Sequence, residues 1–547
     1  MDTEALVIGA GPVGLTMAVE LLRHGISVRI VDAAPAPAST SRAIAVHSRT
    51  LELMEPTELT GEFLREGLRL TSAEFHSEHD TAGHIRLDEI DAPYPFILSV
   101  SQATTERLLT QRLSDLGGTV ARPLTLSSFT QSADSVTSTL KHQDGTDETV
   151  RSRWLIGCDG AHSTVRQVLA LPFMGAPYAE QFLLADVRIT WPMPSNKVDA
   201  FFHRDGVLFV FPLPGERHRI IAGLANEREQ DESDAPTFDQ LRELFAARVP
   251  VSAILADPAW ISRFRIHHRV VNRYRDGNVF IAGDAAHLHS PAGGQGMNTG
   301  IQDAINLAWK LALCTSGKAQ DSLLDSYGQE RIPVAHSVIS LTDRMTAVGT
   351  LRNPLLQKMR NTALPFLMSW GVIHHGLANE LAELKLNYRG SNIVEGQGSF
   401  HGRAPHPGDR APLSRIGPRT LGAILTGTCH HLFIFSGDQA SYETVSVIAA
   451  VRRDLAAVYP ELIQVHTFLR SPSPLIQDAI IDADGHVHRD YGIDEPCLYL
   501  IRPDRYVAYR SAPPDDAALH RFLRAAYGFT PKPAEVLPHR AWSTGAS

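Results

Sequence analysis

Residues Ala5-Leu6-Val7-Ile8 form a short apolar run that ends in glycines. From Pro12 to His24 the pattern changes period: Val13, Met17 and Leu21 fall four apart, and Gly25 stands just past the end. That spacing predicts a helix with one apolar stripe and a glycine stop. A second apolar run, Ile26 to Val31, is closed by Asp32. Strand, helix and strand in this order predict a β-α-β unit, so the sheet it opens is parallel with a right-handed crossover.

Further along, the texture changes. Phe201, Phe202, Val207, Phe209, Phe211 and Leu213 make a strand-rich aromatic stretch with turns at Asp205-Gly206 and Pro214-Gly215. It reads as an antiparallel sheet inserted between two parts of the first domain. Ile301, Ala304, Ile305, Ala308 and Leu311 then return to helical spacing, predicting a helix from about Met297 to Cys314 that stops before Gly317. Residues 388–412, rich in Gly, Pro, Ser and His without periodicity, read as a linker. Beyond it, Leu432–Phe435 and Cys497–Ile501 read as buried strands, with a helix-like segment at 440–457. The expected order is a nucleotide-binding domain at 1–185 with an excursion near 70–100, the antiparallel sheet at 186–275, the rest of the first domain with helices at 276–395, and a small α/β domain at 400–547.

Gly9-Ala10-Gly11-Pro12-Val13-Gly14 is a GxGxxG sequence placed after a strand and opening a helix. The first glycine permits the tight turn, the second lets a pyrophosphate reach the backbone, and the third lets helix and strand pack closely. The helix N-terminus then faces the phosphate charge. Asp32, followed by Ala33, ends the second strand 18 residues beyond Gly14, where a carboxylate can accept from ribose hydroxyls. This fingerprint fits FAD and NAD equally.

Two further segments separate them. Gly157-Cys158-Asp159-Gly160 runs on to Arg166 after the apolar run Trp154–Ile156. Gly283-Asp284-Ala285-Ala286-His287 follows Val279–Ala282 and leads into Pro291-Ala292-Gly293-Gly294-Gln295-Gly296-Met297-Asn298. With these motifs in this order, about residues 1–345 resemble the class A flavoprotein monooxygenases, the family of p-hydroxybenzoate and phenol hydroxylases.

The resemblance implies an FAD site. Asp284 beside Gly283 would bond the ribityl chain, Asp159 would lie beside the pyrophosphate and the path of the nicotinamide, Arg42 would lie along the flavin, and Gln102 would contact the cofactor. Pro291, Gly294, Gly296, Met297 and Asn298 complete the implied set. Reduced flavin is an anion, and a helix N-terminus beginning at these glycines would stabilise it by roughly 0.3–2 kcal/mol. Only one dinucleotide fingerprint is present, which suits NADPH or NADH binding transiently as electron donor without a domain of its own. The C-terminal segments Pro407–Pro412 and Leu500–Arg510 resemble the thioredoxin-like extension of the phenol and aromatic polyketide hydroxylases, with Arg505 where that extension often has glycine. Ser436-Gly437-Asp438-Gln439 stands where a thioredoxin carries CxxC, so no redox role is expected there.

The implied reaction is hydroxylation of a phenolic or polyketide-like aromatic substrate with O₂ through a C4a-hydroperoxyflavin. Baeyer–Villiger oxidation, epoxidation and oxidative dehalogenation remain open on the same scaffold, as does a non-catalytic flavin-binding partner protein. Phe211, with Phe209, is suited to line a dry substrate pocket. Phenol hydroxylases carry a carboxylate five residues before an Arg-Thr-Leu-Glu segment. Here Arg49-Thr50-Leu51-Glu52 puts Ile44 there, so the substrate ionises itself or His47, with an unperturbed pKa near 6.5, serves as base.

Composition narrows the partners. The 547 residues are 43% hydrophobic and 20% charged, an ordinary soluble globular balance, and the net charge of −9 argues against nucleic acid or an anionic membrane. The four cysteines have no CxxC spacing, which suits a reducing cytoplasm and no zinc site. Of the 25 histidines, the pairs His267-His268 and His430-His431 are adjacent, and strand neighbours point to opposite faces, so no metal is expected. Met1-Asp2-Thr3-Glu4 is acidic where a secretory signal would be basic, and a cytoplasmic location is expected. A homodimer is one option the sequence leaves open.

Overall fold

A computed structural model describes residues 1–38, 43–77, 81–224, 236–291, 293–349, 351, 353, 356–357, 359, 371–402 and 404–531. The chain divides into two compact units. The first comprises Met1–Leu22, Ser27–Ala304 and Ile332–Leu384; the second comprises Arg23–Ile26, Ile305–Arg331 and the chain from Lys385 onward.

The first unit is built on two large sheets. In one, five strands run parallel in the order Val279–Ile281, Asp147–Gly157, Thr3–Ile8, Val28–Val31 and Val120–Ala121. Trp154, Leu155 and Ile156 are fully buried, as a strand covered on both faces requires. Leu124–Gln131 and Val136–His142 extend this sheet as an antiparallel meander. The helix Pro12–Arg23 forms the predicted crossover. Helix Gln102–Asp115 starts at Ser101, whose hydroxyl accepts from the Thr104 N–H.

The second sheet has eight strands, centred on Phe173–Thr190, Lys197–His203, Gly206–Leu213, Arg217–Leu224 and Ile254–Val271. It starts earlier than residue 186, and it recruits Ser72–His76 and Thr81–Arg86 from far upstream. Lys197–His203 pairs with Ser72–His76 in parallel, so the sheet is mixed rather than purely antiparallel. One face buries Leu183, Val187, Leu208, Val210 and Ile220 against the helix Phe238–Arg248, which opens with a Thr237/Gln240 capping box. The other face carries Phe182, Leu184 and Ile221, with Phe209, Phe211, Trp260 and Phe264 packed beside them.

The second unit holds a six-stranded mixed sheet in the order Glu395–Gly398, Val507–Ala512, Cys497–Ile501, His430–Phe435, Ile463–Leu469 and Ile480–Ile481. Helix Tyr442–Val458 falls where helical spacing predicted it. The stretch 388–412 is built in rather than left as a linker. Gly408 donates to the Val507 carbonyl at 2.7 Å, and at φ +88° a Cβ on it would lie 2.4 Å from the Arg389 nitrogen. Inside this unit lies a charge network with no solvent exposure. Lys310 donates to Glu330 at 2.7 Å, Arg502 grips the same carboxylate at 2.5 and 2.9 Å, and Arg502 also donates to Asp504 at 2.9 Å. No helix among the described residues is long and apolar enough to cross a membrane.

Candidate functional site

The Gly9–Gly14 turn divides its glycines between two physical demands. Gly9 adopts φ +97°, and a Cβ there would lie 2.4 Å from the Cys158 carbonyl oxygen. A Cβ on Gly14 would meet the Gly9 carbonyl oxygen at 1.9 Å. The fold itself therefore needs both to be glycine. Gly11 is different: no atom lies within 4 Å of where its Cβ would be. Its bareness leaves the backbone open to approach from outside, which is what a pyrophosphate in a GxGxxG turn needs. Pro12 is buried at the helix start, and Val13 packs into the bare positions of Gly283 and Gly300, at 2.8 and 2.6 Å from their notional Cβ atoms. Val13 thus joins the turn to the Gly283-Asp284 segment through packing.

Asp32 closes the turn from the next strand. One carboxylate oxygen accepts from the Ala10 N–H at 2.6 Å, and the other accepts from Ala34 N–H at 2.8 Å and lies 3.1 Å from the Arg122 guanidinium. Ala33 is exposed beside it. Gln102 accepts from the Ala43 N–H at 3.3 Å and donates to Glu106 at 2.9 Å. Burial pushes the Glu106 carboxyl above its ordinary range, with the Gln102 bond and Arg122 opposing. Arg42 lies outside the described residues.

Asp159 accepts from the Val165 N–H at 3.2 Å through one oxygen; the other is buried without a partner among the described residues. Burial raises its pKa, against the bonds from Ser163 and Val165. Arg166 donates to the carbonyls of Ala161 and Ala285 at 2.7 and 3.0 Å, and its guanidinium sits 4.0 Å over Phe173. One side chain therefore ties the Asp159 and Asp284 segments together. Gly283, at φ +61°, donates to Asp303 at 3.0 Å, and His287 pairs with the same carboxylate at 2.8 Å. Asp284 itself is exposed.

The loop from Pro291 to Asn298 is braced from the Ala45–His47 side. Gly294 donates to the Pro291 carbonyl at 2.9 Å. Asn298 donates to the carbonyls of Ala45 and Gly294 at 2.9 and 3.0 Å, and it accepts the His47 N–H at 2.9 Å. The His47 ring Nε2 bonds the Gly294 carbonyl at 3.1 Å, which fixes the N–H on Nε2 and leaves the buried Nδ1 without a partner. Burial lowers the His47 pKa to about 4, well under the ordinary value expected from sequence. Met297 is buried, and Gly296 opens the helix Gly296–Thr315. A Cβ on Gly294 would lie 3.1 Å from that of Ala45, and Gly294 has φ +66°.

The Phe211 ring lies 6.1 Å from that of Phe209 at a tilt of 30° and stands directly across from Arg219, hence on the same face of the sheet. Arg219 is fully buried and bonds Asp186 at 2.7 Å through two nitrogens. The sequence did not single out this pair, nor Arg122 or Asp303, and it marked Arg166 only as the end of the Gly157–Arg166 motif. Asp303 left one signal: apart from Lys310 it is the only charge on helix Gly296–Thr315. Among the described residues, Glu74, His76 and Asp199 bring three ligand-type atoms within 4.8 Å. The Lys197 ammonium contacts Glu74 and lies 3.4 Å from Asp199, so this group is already charge-paired.

The open Gly11 offers bare backbone and the glycine-rich start of the helix at Gly296 offers an N-terminus, which fit the phosphates of FAD, while the unpartnered Asp159 oxygen is an acceptor.

Residues 2–342 match the family model described as an FAD-binding domain. The chain is 33% identical to a 6-methylpretetramide 4-monooxygenase of Streptomyces rimosus, over 96% of this chain and 93% of that one. It is 32% identical to a pentachlorophenol 4-monooxygenase of Sphingobium chlorophenolicum, over 93% and 94%. Among solved structures, an anhydrotetracycline hydroxylase from Streptomyces rimosus superposes with a TM-score of 0.76 at 27% identity, covering 97% of this chain and all of the other.

Proposed function

Because the chain belongs to the FAD-binding-domain family of flavin-dependent monooxygenases, we propose that it hydroxylates an aromatic substrate of polyketide-like or phenolic type. The overall reaction consumes substrate, O₂, NAD(P)H and a proton, and it yields hydroxylated product, NAD(P)⁺ and water. FAD, when bound and reduced by NADH or NADPH, would activate O₂; the protein's own residues bind, orient and keep the site dry.

Gly11, Asp32, Asp159, Asp284, Gly294 and Gly296 are the residues we assign to holding FAD, with Val13 and Asn298 fixing the loops that carry them. The observation that carries the reading is Gly11, bare where the fold does not require it, in a turn whose other glycines the fold does require. The Phe209/Phe211 face of the sheet supplies apolar walls for a planar substrate, and exclusion of water there favours oxygen transfer over release of peroxide. The relatives that act on 6-methylpretetramide and pentachlorophenol support a phenolic ring as the reacting group.

The substrate supplies its own ionisation in this reading. Ile44 is a buried aliphatic side chain, and His47 is a weak base whose N–H is committed to Gly294. A phenol conjugated to a carbonyl is acidic enough to need no further base. The test is NADH and NADPH oxidation by the FAD-loaded protein against phenols, naphthoquinones and anthraquinones. Oxidation should rise several-fold with a subset of these and yield a product one oxygen heavier. Oxidation indifferent to every aromatic compound would remove the proposal.

A further inference from the structure

We propose that Arg122 is a positioning residue for bound FAD: its guanidinium holds Asp32, the Ala10 carbonyl and the segment after Asp32 where the cofactor needs them. The inference rests on the FAD reading of the Gly9–Gly14 turn. Strand register brings Arg122 to that turn. Val31 pairs with Ala121, the Asp32 N–H donates to the Ala121 carbonyl at 3.1 Å, and the Leu124 N–H donates back to the Asp32 carbonyl at 2.9 Å. Of the two residues between, Arg122 and Pro123, Arg122 is therefore held alongside Asp32.

Its guanidinium then reaches three parts of the site. It lies 3.1 Å from the Asp32 carboxylate, donates to the Ala10 carbonyl at 3.3 Å, and donates to the Ala36 carbonyl at 3.2 Å, with only 14% of the side chain exposed. The segment Ala33-Ala34-Pro35-Ala36-Pro37-Ala38 has no side chain that can hydrogen-bond, its two prolines lack N–H groups, and all six residues are exposed. Its anchors are therefore backbone groups: the Ala34 N–H bonds Asp32 at 2.8 Å, and the Ala36 carbonyl is held by Arg122. Glu106, which accepts the Ala38 N–H, extends the hold by one more residue.

The charge matters as much as the bonds. Asp32 places a carboxylate beside the turn that is to receive an anionic pyrophosphate, and like charges there repel. The Arg122 guanidinium offsets that carboxylate while leaving it aligned for ribose hydroxyls. A lysine could keep the charge but not the planar fork that serves three acceptors at once.

The experiment uses the full chain stripped of flavin. FAD is titrated while flavin fluorescence is followed, and thermal unfolding is recorded with and without FAD. R122Q should raise the FAD Kd by about tenfold or more, and R122K by about threefold, since a tenfold change needs only about 1.4 kcal/mol. The rise in Tm that FAD confers should shrink correspondingly, while flavin-free R122Q unfolds close to wild type. A Kd within about twofold of wild type, or an equal loss of Tm with and without FAD, would show a merely structural arginine and overturn the inference. If R122Q does not fold, R122K decides by the same Kd criterion. Gly11→Ala separates the two levels. If it weakens FAD and R122Q does not, only the role of Arg122 falls; if neither weakens FAD, the reading of the turn falls.

Discussion

His47 shows how burial redirects a residue that sequence marks as a base. In water an imidazole titrates near 6.5, but this one is buried, its pKa is lowered to about 4, and its N–H is spent on Gly294. We expect His47→Gln, which keeps an N–H donor for Gly294, to lower kcat/KM by less than about tenfold, short of the 10²–10⁴ of a lost general base. The pH profile should still follow the ionisation of the substrate. A fall of about 100-fold or more, in the general-base range, would assign the proton to His47. The glycines separate in the same way. Gly9→Ala meets the Cys158 carbonyl at 2.4 Å with φ +97°, so it should damage folding itself. Gly11→Ala meets nothing, so the protein should fold with near-normal stability and lose affinity for FAD. Flavin absorbance after gel filtration, read beside the far-UV spectrum, distinguishes the two. The glycines, Asp32 and the Gly283-Asp284 segment were legible because each sits at a fixed offset from a periodic element. The His47 shift was not, because its surroundings depend on Gly294 and Asn298 arriving from elsewhere in the chain.

Elements were legible where their own periodicity sufficed. Helix Gly296–Thr315 and strand Cys497–Ile501 fall within a residue of expectation. Pairings between distant segments were not, since nothing local announces that Ser72–His76 lies parallel to Lys197–His203. The stretch 388–412 misled because its glycines and prolines mark tight, packed turns as readily as a linker. In the second unit the helices carry a fully buried charge network. Burial alone would raise the Glu330 carboxyl, but Arg502 and Lys310 outweigh it and hold the pKa well below the ordinary range. Glu330→Gln should cost about 3–5 kcal/mol, because two cations lose their shared partner. Denaturant unfolding at neutral pH checks this, and a loss under about 1 kcal/mol would contradict it.

The same unit buries neutral histidines: burial lowers His430 and His431 to about 3 and His466 to about 4. Folded pKa values below the unfolded value mean that the unfolded chain binds more protons between about pH 6.5 and 4. Stability is therefore intact above about pH 6.5 and is lost as pH falls, by up to about 1.4 kcal/mol per pH unit per histidine. Glu330, with a depressed pKa, adds a loss in the same direction below about pH 4.5. His430→Phe should flatten the fall in Tm between pH 6.5 and 5, and an unchanged slope would refute this account.

At the scale of the whole molecule, one unit carries the assigned cofactor residues and the aromatic sheet face, and the other carries a six-stranded sheet with the free cysteines Cys429 and Cys497. Cys497 is buried, burial raises its thiol well above the ordinary range, and no disulfide forms among the four cysteines. Replacing Cys429 and Cys497 by serine should leave turnover per folded enzyme within about twofold, because burial raises both thiols and so disfavours the reactive thiolate. A folded double variant without activity would give the second unit a chemical role. The central claim, that the chain transfers one oxygen atom from O₂ to an aromatic ring, is tested most directly by isotope. The FAD-loaded protein should be supplied with NAD(P)H and an accepted substrate under ¹⁸O₂ in ordinary water. The account predicts a hydroxylated product carrying a single ¹⁸O. Product oxygen drawn from water, or NAD(P)H consumed with peroxide as the sole fate of O₂, would contradict it.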